Sequence, residues 1–110
     1  MTVLLVDDEP QILIILSETL NAGGFTTHTC ESGAEALAYL ENHPVELMVT
    51  DLRMPGMSGT ELLGEVRKRE RDLSVVFLTG FGDMKSAVDA MRLGAFDYLN
   101  KPVDAERLIQ

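Results

Sequence analysis

Short apolar runs alternate with helix-spaced apolar positions five times along the chain. Val3-Leu4-Leu5-Val6 is β-rich and ends at acids, as expected of a strand buried on both faces. Pro10 suits a first helical turn, and Ile12, Leu13, Leu16 and Leu20 keep helix spacing as far as Gly23-Gly24. Phe25 to Cys30 is a weaker, polar strand, which places it at a sheet edge. Ser32 reads as an N-cap, with Glu35 completing a capping box ahead of Ala36, Leu37 and Leu40.

The pattern then repeats. Val45 to Thr50 is a third strand, and Ser58 or Gly59 starts a helix with Leu62, Leu63 and Val66 on one face. Val75-Val76-Phe77-Leu78 is a fourth, buried strand. Asp83 caps a helix carrying Met84, Ala87, Val88 and Met91, and Gly94 stops it. Phe96 to Leu99 is the fifth strand. From Asp104 a last helix begins with only seven residues left, so it is read as trimmed or as running on into an output domain. Five such units predict one α/β domain over 1–110, a doubly wound five-stranded parallel sheet with helices on both faces. One helix carries a surplus: Ile12 to Leu16 is apolar at every position, more than one face can bury, so Ile14 and Ile15 are expected to stay partly exposed.

Composition narrows the function classes. The chain has 110 residues and a formal net charge of −9. All of that net charge sits before Arg53, where nine acids meet no Lys or Arg. Such a chain lacks the electrostatic footprint of direct nucleic-acid binding. Its longest apolar run, Ile12 to Leu16, is far short of the roughly 20 residues of a membrane span. Met1 leads directly into the first strand without a basic n-region or cleavage site, so no secretory signal is expected. One cysteine, Cys30, allows neither an internal disulfide nor a zinc cluster, which fits a reducing, cytoplasmic setting.

In open α/β sheets, chemistry collects at the carboxyl ends of the strands. Those ends read Asp7-Asp8-Glu9 after the first strand, Asp51 after the third, Thr79 after the fourth and Lys101 after the fifth. The strand order 2-1-3-4-5 brings these groups into one crevice. Taken singly, each has a plainer role: Asp7 and Asp8 as helix caps, Asp51 as an ordinary turn, Thr79 as a backbone-satisfying hydroxyl, Lys101 as a solvated cation. Together they make a different object. Crowded carboxylates repel unless a cation is present, and hard oxygen ligands suit Mg²⁺ or Mn²⁺. A carboxylate beside such a cation, a hydroxyl and a lysine can accept a phosphoryl group.

Leu4-Leu5-Val6-Asp7-Asp8-Glu9, Asp51-Leu52-Arg53-Met54-Pro55-Gly56-Met57-Ser58-Gly59, Leu78-Thr79-Gly80 and Asp97-Tyr98-Leu99-Asn100-Lys101-Pro102 resemble the receiver domain of two-component response regulators. The run from Thr79 to Asp83, with Gly94 to Tyr98, is most similar to receivers of enhancer-dependent transcription activators. The resemblance implies flavodoxin-like topology, Asp51 as phosphoacceptor, and Asp7, Asp8, Asp51 and the Arg53 carbonyl as metal ligands. It implies that Thr79 and Lys101 hold the phosphoryl group, that the Lys101-Pro102 bond is cis, and that Thr79 and Tyr98 switch together. Arg53 and Phe81 would flank the phosphoryl group and tune its lifetime. The implied partners are a sensor histidine kinase or histidine phosphotransfer protein, an output domain or downstream target, and a second copy in a homodimer. The first helix would dock the phosphodonor, and the readout face would be the fourth helix, last strand and last helix.

Three other readings compete. A stand-alone receiver or phosphorelay intermediate would use the same site. An aspartyl-phosphate phosphohydrolase wants a second acid two residues past its nucleophile, where this chain has Arg53. A flavin-binding electron carrier shares the topology, but the first loop is acidic and lacks hydroxyls to hold a phosphate. Met54 and Met57 are read as packing the loop beneath the site, and Arg67-Lys68-Arg69-Arg71 as a solvated helix end. His28 and His43 have no metal-ligand company in the sequence.

Overall fold

The computed structural model describes residues 1–69, 73–80, 88, 89, 91, 92 and 94–100. Five parallel strands lie in the order β2-β1-β3-β4-β5: β1 Thr2–Val6, β2 Thr26–Cys30, β3 Leu47–Asp51, β4 Ser74–Thr79 and β5 Asp97–Asn100. Helices α1 Pro10–Ala22, α2 Gly33–Leu40 and α3 Gly59–Lys68 connect them. Val88, Asp89, Met91 and Arg92 are helical. The expected Asp83 cap, with Met84 and Ala87, and the helix expected from Asp104 lie outside the described residues.

The continuous apolar runs are explained by two cores, one on each face of the sheet. Side chains of a strand alternate between faces. Leu4 and Val6 of β1, Met48 of β3, and Val75 and Phe77 of β4 pack under Ala36, Leu37, Leu40, Leu62, Leu63 and Val66 of α2 and α3. Val3 and Leu5, Val49, and Val76 and Leu78 face the other way, where Leu13, Leu16 and Leu20 of α1 cover them. Burying each such side chain contributes about 1.5–3 kcal/mol relative to exposure. The polar β2 is at the edge, as expected.

Helix ends follow local chemistry, with one departure. Pro10 opens α1 after Glu9, whose side chain makes no capping hydrogen bond. Ser58 and Glu61 form a full capping box at the start of α3. At α2 the Ser32 hydroxyl accepts from Glu35 N, but the Glu35 carboxylate accepts from Glu31 N at 2.9 Å. The expected box at Ser32 is therefore only half made.

Two surface features differ from the plain reading of the sequence. Arg67 is no solvated helix end: it donates to the carbonyls of Leu73 at 2.9 Å and Gly94 at 3.1 Å, tying α3 to the entries of β4 and β5. The rings of His28 and His43 sandwich Tyr39, with centroids 3.9 and 4.0 Å away and nearly parallel planes. That stack pins the edge strand and the loop after α2 to one helix.

Candidate functional site

Parallel register aligns the carboxyl ends of the strands. Val6 pairs with Thr50, Asp51 with Leu78, and Thr79 with Asn100. Asp7 and Asp51 therefore emerge side by side from β1 and β3. Carboxylate oxygens of Asp7, Asp8, Glu9 and Asp51 all lie within 4.8 Å of one another. Asp7 and Asp51 are buried, whereas Asp8 and Glu9 are exposed at the rim.

The two buried carboxylates are oriented in the same way. Asp7 Oδ1 accepts from Glu9 N at 2.9 Å, and Asp51 Oδ1 accepts from Arg53 N at 3.2 Å. Each aspartate thus folds over the peptide two residues on, the local turn that Asp favours. Asp7 organises the loop before α1 and does not cap the helix. The second turn holds the Arg53 segment against Asp51. Met54 is buried beneath this loop, and half-buried Met57 packs on the same core.

The donor set fits a hard divalent cation. Among the described residues the cluster offers four carboxylates and no nitrogen or sulfur donor, a set that matches Mg²⁺ or Mn²⁺ and disfavours zinc or copper. Cys30 lies nearby in the chain path, its carbonyl accepting from Asp7 N at 3.1 Å. Burial, helped by the negative charge of Glu35, pushes its thiol up to about 11. It stays protonated and adds no soft ligand. Of the expected ligands, the carboxylates of Asp7, Asp8 and Asp51 are brought together; Glu9, read only as a neighbour, joins them.

Thr79 is buried at the end of β4, and its hydroxyl donates to the Leu99 carbonyl of β5 at 3.3 Å. Tyr98 stands on β5 opposite Phe77 in the register. Lys101, Pro102 and Phe81 lie outside the described residues. No helix among the described residues is long and apolar enough to cross a membrane.

Comparison with known proteins shows the family and the fold. The family model for the response regulator receiver domain matches residues 3–110. The transcriptional regulatory protein GlrR of Escherichia coli K12 is 42% identical over 107 residues, covering 97% of this chain and 24% of that protein. The DNA-binding transcriptional regulator NtrC of the same organism is 39% identical over 104 residues, covering 94% and 22%. A response regulator receiver protein from Pseudomonas putida has a crystal structure that superposes with a TM-score of 0.92 at 38% identity, covering 98% of this chain and 91% of that one. The chain spans about a quarter of the length of the curated relatives GlrR and NtrC.

Proposed function

The chain belongs to the response regulator receiver family, a family of signalling switches and not of classical enzymes, and on that premise we propose that Asp51 is its phosphoacceptor. The observation that carries this reading is the cluster of carboxylate oxygens within 4.8 Å around a buried Asp51. The donor is a phosphohistidine of a sensor kinase or a histidine phosphotransfer protein. An Asp51 oxygen forms the new bond to phosphorus while the phosphorus–nitrogen bond breaks, and the freed imidazole nitrogen takes up a proton.

Asp7, Asp8, Asp51 and the Arg53 carbonyl would hold Mg²⁺ or Mn²⁺. Once bound, the cation offsets the negative charge of the carboxylates and the arriving phosphoryl oxygens. Thr79 and Lys101 take phosphoryl oxygens. Phosphorylation adds charge and acceptor oxygens that draw the Thr79 hydroxyl inward, and Tyr98 follows. Arg53 and Phe81 set the phosphoryl lifetime; Phe81→Ala should speed its hydrolysis.

The signal leaves through the fourth helix, last strand and last helix. Val88, Met91 and Phe96 are exposed there, and an apolar surface of this kind suits an output domain, a downstream target or a second copy. The names of GlrR and NtrC point to transcription control as the output. This unit takes no direct part in nucleic-acid binding, and it works in the cytoplasm.

The deciding experiment is incubation with acetyl phosphate and Mg²⁺. One acid-stable, base-labile phosphoryl group per chain is expected, lost in Asp51→Asn and in EDTA. Sustained phosphate release by the Asp51→Asn variant would overturn the reading.

A further inference from the structure

Asp51 is the last residue of β3, and its main-chain carbonyl is enclosed by two residues that contribute no group to the carboxylate cluster. The hydroxyl of fully buried Thr50 donates to Asp51 O at 3.1 Å. Gly59, the first residue of α3, occupies another side. A β-carbon at position 59 would stand 2.3 Å from Asp51 O, 2.8 Å from Phe77 Cε1 and 3.0 Å from the Leu52 Cα. The first two separations lie inside any real contact, and the closest atom is backbone. Positive φ occurs among the described glycines only at Gly24, Gly56 and Gly94. Position 59 therefore needs glycine for space, not for an unusual backbone conformation.

The same stretch is tied down along its length. Leu52 N donates to Leu78 O and Gly59 N to Leu52 O, both at 3.0 Å. The capping box of Ser58 and Glu61 fixes the first turn of α3 behind it. Any tilt of the 51–52 peptide is passed to the Asp51 carboxylate, which is itself joined to Arg53 N. We propose that Thr50 and Gly59 are positioning residues for Asp51: the hydroxyl of one and the missing side chain of the other hold its carbonyl, and so set the aim of its carboxylate toward Asp7 and Asp8. This rests on the reading of Asp51 as phosphoacceptor. Reacting groups displaced by as little as about 1 Å lose rate by factors of about a hundred, so a modest tilt is enough to matter.

The test compares Thr50→Val, Thr50→Ser, Gly59→Ala and Gly64→Ala in the whole chain. Gly64 is an exposed glycine of the same helix with open space where its β-carbon would go. Three quantities are measured: the urea midpoint, Mn²⁺ affinity by titration, and the dependence of phosphorylation rate on acetyl phosphate concentration. Thr50→Val should fold, lower the maximal rate about tenfold and weaken Mn²⁺ binding, with Thr50→Ser restoring both. Gly59→Ala should change both in the same direction and further. Gly64→Ala should raise the urea midpoint and leave rate and affinity alone. Wild-type rate and Mn²⁺ affinity in folded Thr50→Val, or in folded Gly59→Ala, would overturn the assignment for that residue. If Gly59→Ala does not fold, Gly59→Ala in a Phe77→Leu background removes the ring contact and leaves the carbonyl contact to be read. Failure of the wild-type chain to be phosphorylated on Asp51 would instead sink the phosphoacceptor reading, while Mn²⁺ affinity still reports on the aim of the carboxylate.

Discussion

The Thr79 hydroxyl and the Leu99 carbonyl are joined by a buried hydrogen bond of 3.3 Å across β4 and β5. A hydroxyl has one proton to donate, so it cannot serve Leu99 and a phosphoryl oxygen at once. Drawing Thr79 to a phosphoryl group on Asp51 therefore releases a carbonyl on the strand that carries Tyr98. Thr79→Val should cost about 1 kcal/mol of stability through the lost bond. It should also abolish the phosphorylation-dependent change in the Leu99 carbonyl and Asn100 amide resonances, while Thr79→Ser keeps both. An Asn100 amide that shifts equally in wild type and Thr79→Val would rule out this coupling.

Removing the cation should be felt in folding as well as in chemistry. Four carboxylates within 4.8 Å oppose one another in the metal-free chain, and a ligand that binds only the folded state stabilises it by mass action. At a hundredfold excess over its dissociation constant, Mg²⁺ should add about 2.7 kcal/mol to the unfolding free energy. Asp8→Asn should erase most of that increment and, by relieving repulsion, should not destabilise the metal-free protein. A thermal midpoint that ignores Mg²⁺ would count against a metal site here.

Ile14 and Ile15 are 55% and 57% exposed on α1, and Ile14 lines a groove with Pro10, Leu13 and Glu31. If this surface receives the phosphodonor protein, Ile14→Asp should slow phosphotransfer from the kinase by about tenfold, as for a modest interface residue worth about 1.4 kcal/mol. Acetyl phosphate needs no docking surface, so its reaction should be unchanged. Equal slowing with both donors would point to damage at the site and away from docking.

How much of this was legible follows from the range of each interaction. The runs of β1, β3 and β4 could be read because each strand divides its side chains between two cores. Asp7 and Asp51 could be read because a strand end in a parallel sheet fixes where a side chain emerges. The pattern Ser-x-x-Glu occurs at both Ser32 and Ser58, yet only Ser58 closes the box; at α2 the carboxylate finds Glu31 N first. Arg67 reaches Gly94, 27 residues on, and nothing local marks that partner. Gly59 is similar: the sequence shows a glycine at a helix start, and only the fold shows Asp51 O against it.

The stack of His28, Tyr39 and His43 joins residues of a strand, a helix and a loop. Aromatic pairs of this kind contribute about 0.5–1.5 kcal/mol each beyond their buried area. Tyr39→Leu loses both pairs and should lower stability by about 1–3 kcal/mol, whereas His28→Ala and His43→Ala should each lose about half as much. A double-mutant cycle in urea measures each coupling. The edge strand should also exchange its amide protons faster in Tyr39→Leu, because the ring that holds it to α2 is gone.

Cys30 closes β2 with its thiol raised from the ordinary value of 9.0 to about 11, by burial first and by the charge of Glu35 second. The folded chain thus holds this proton more tightly than the unfolded one. Its contribution to stability is complete below about pH 9 and is lost as pH rises through about 11. Thiolate is the reactive form, so at about pH 8 the folded protein should be alkylated at least about a hundredfold more slowly than the chain in concentrated urea. Glu35→Gln removes the second cause and leaves the first, so labelling should quicken only slightly. Because Glu35 also holds Glu31 N, the variant's urea midpoint must be read beside the labelling rate. A faster rate at an unchanged midpoint is the electrostatic effect; a faster rate with a fallen midpoint is local opening of the β2–α2 corner.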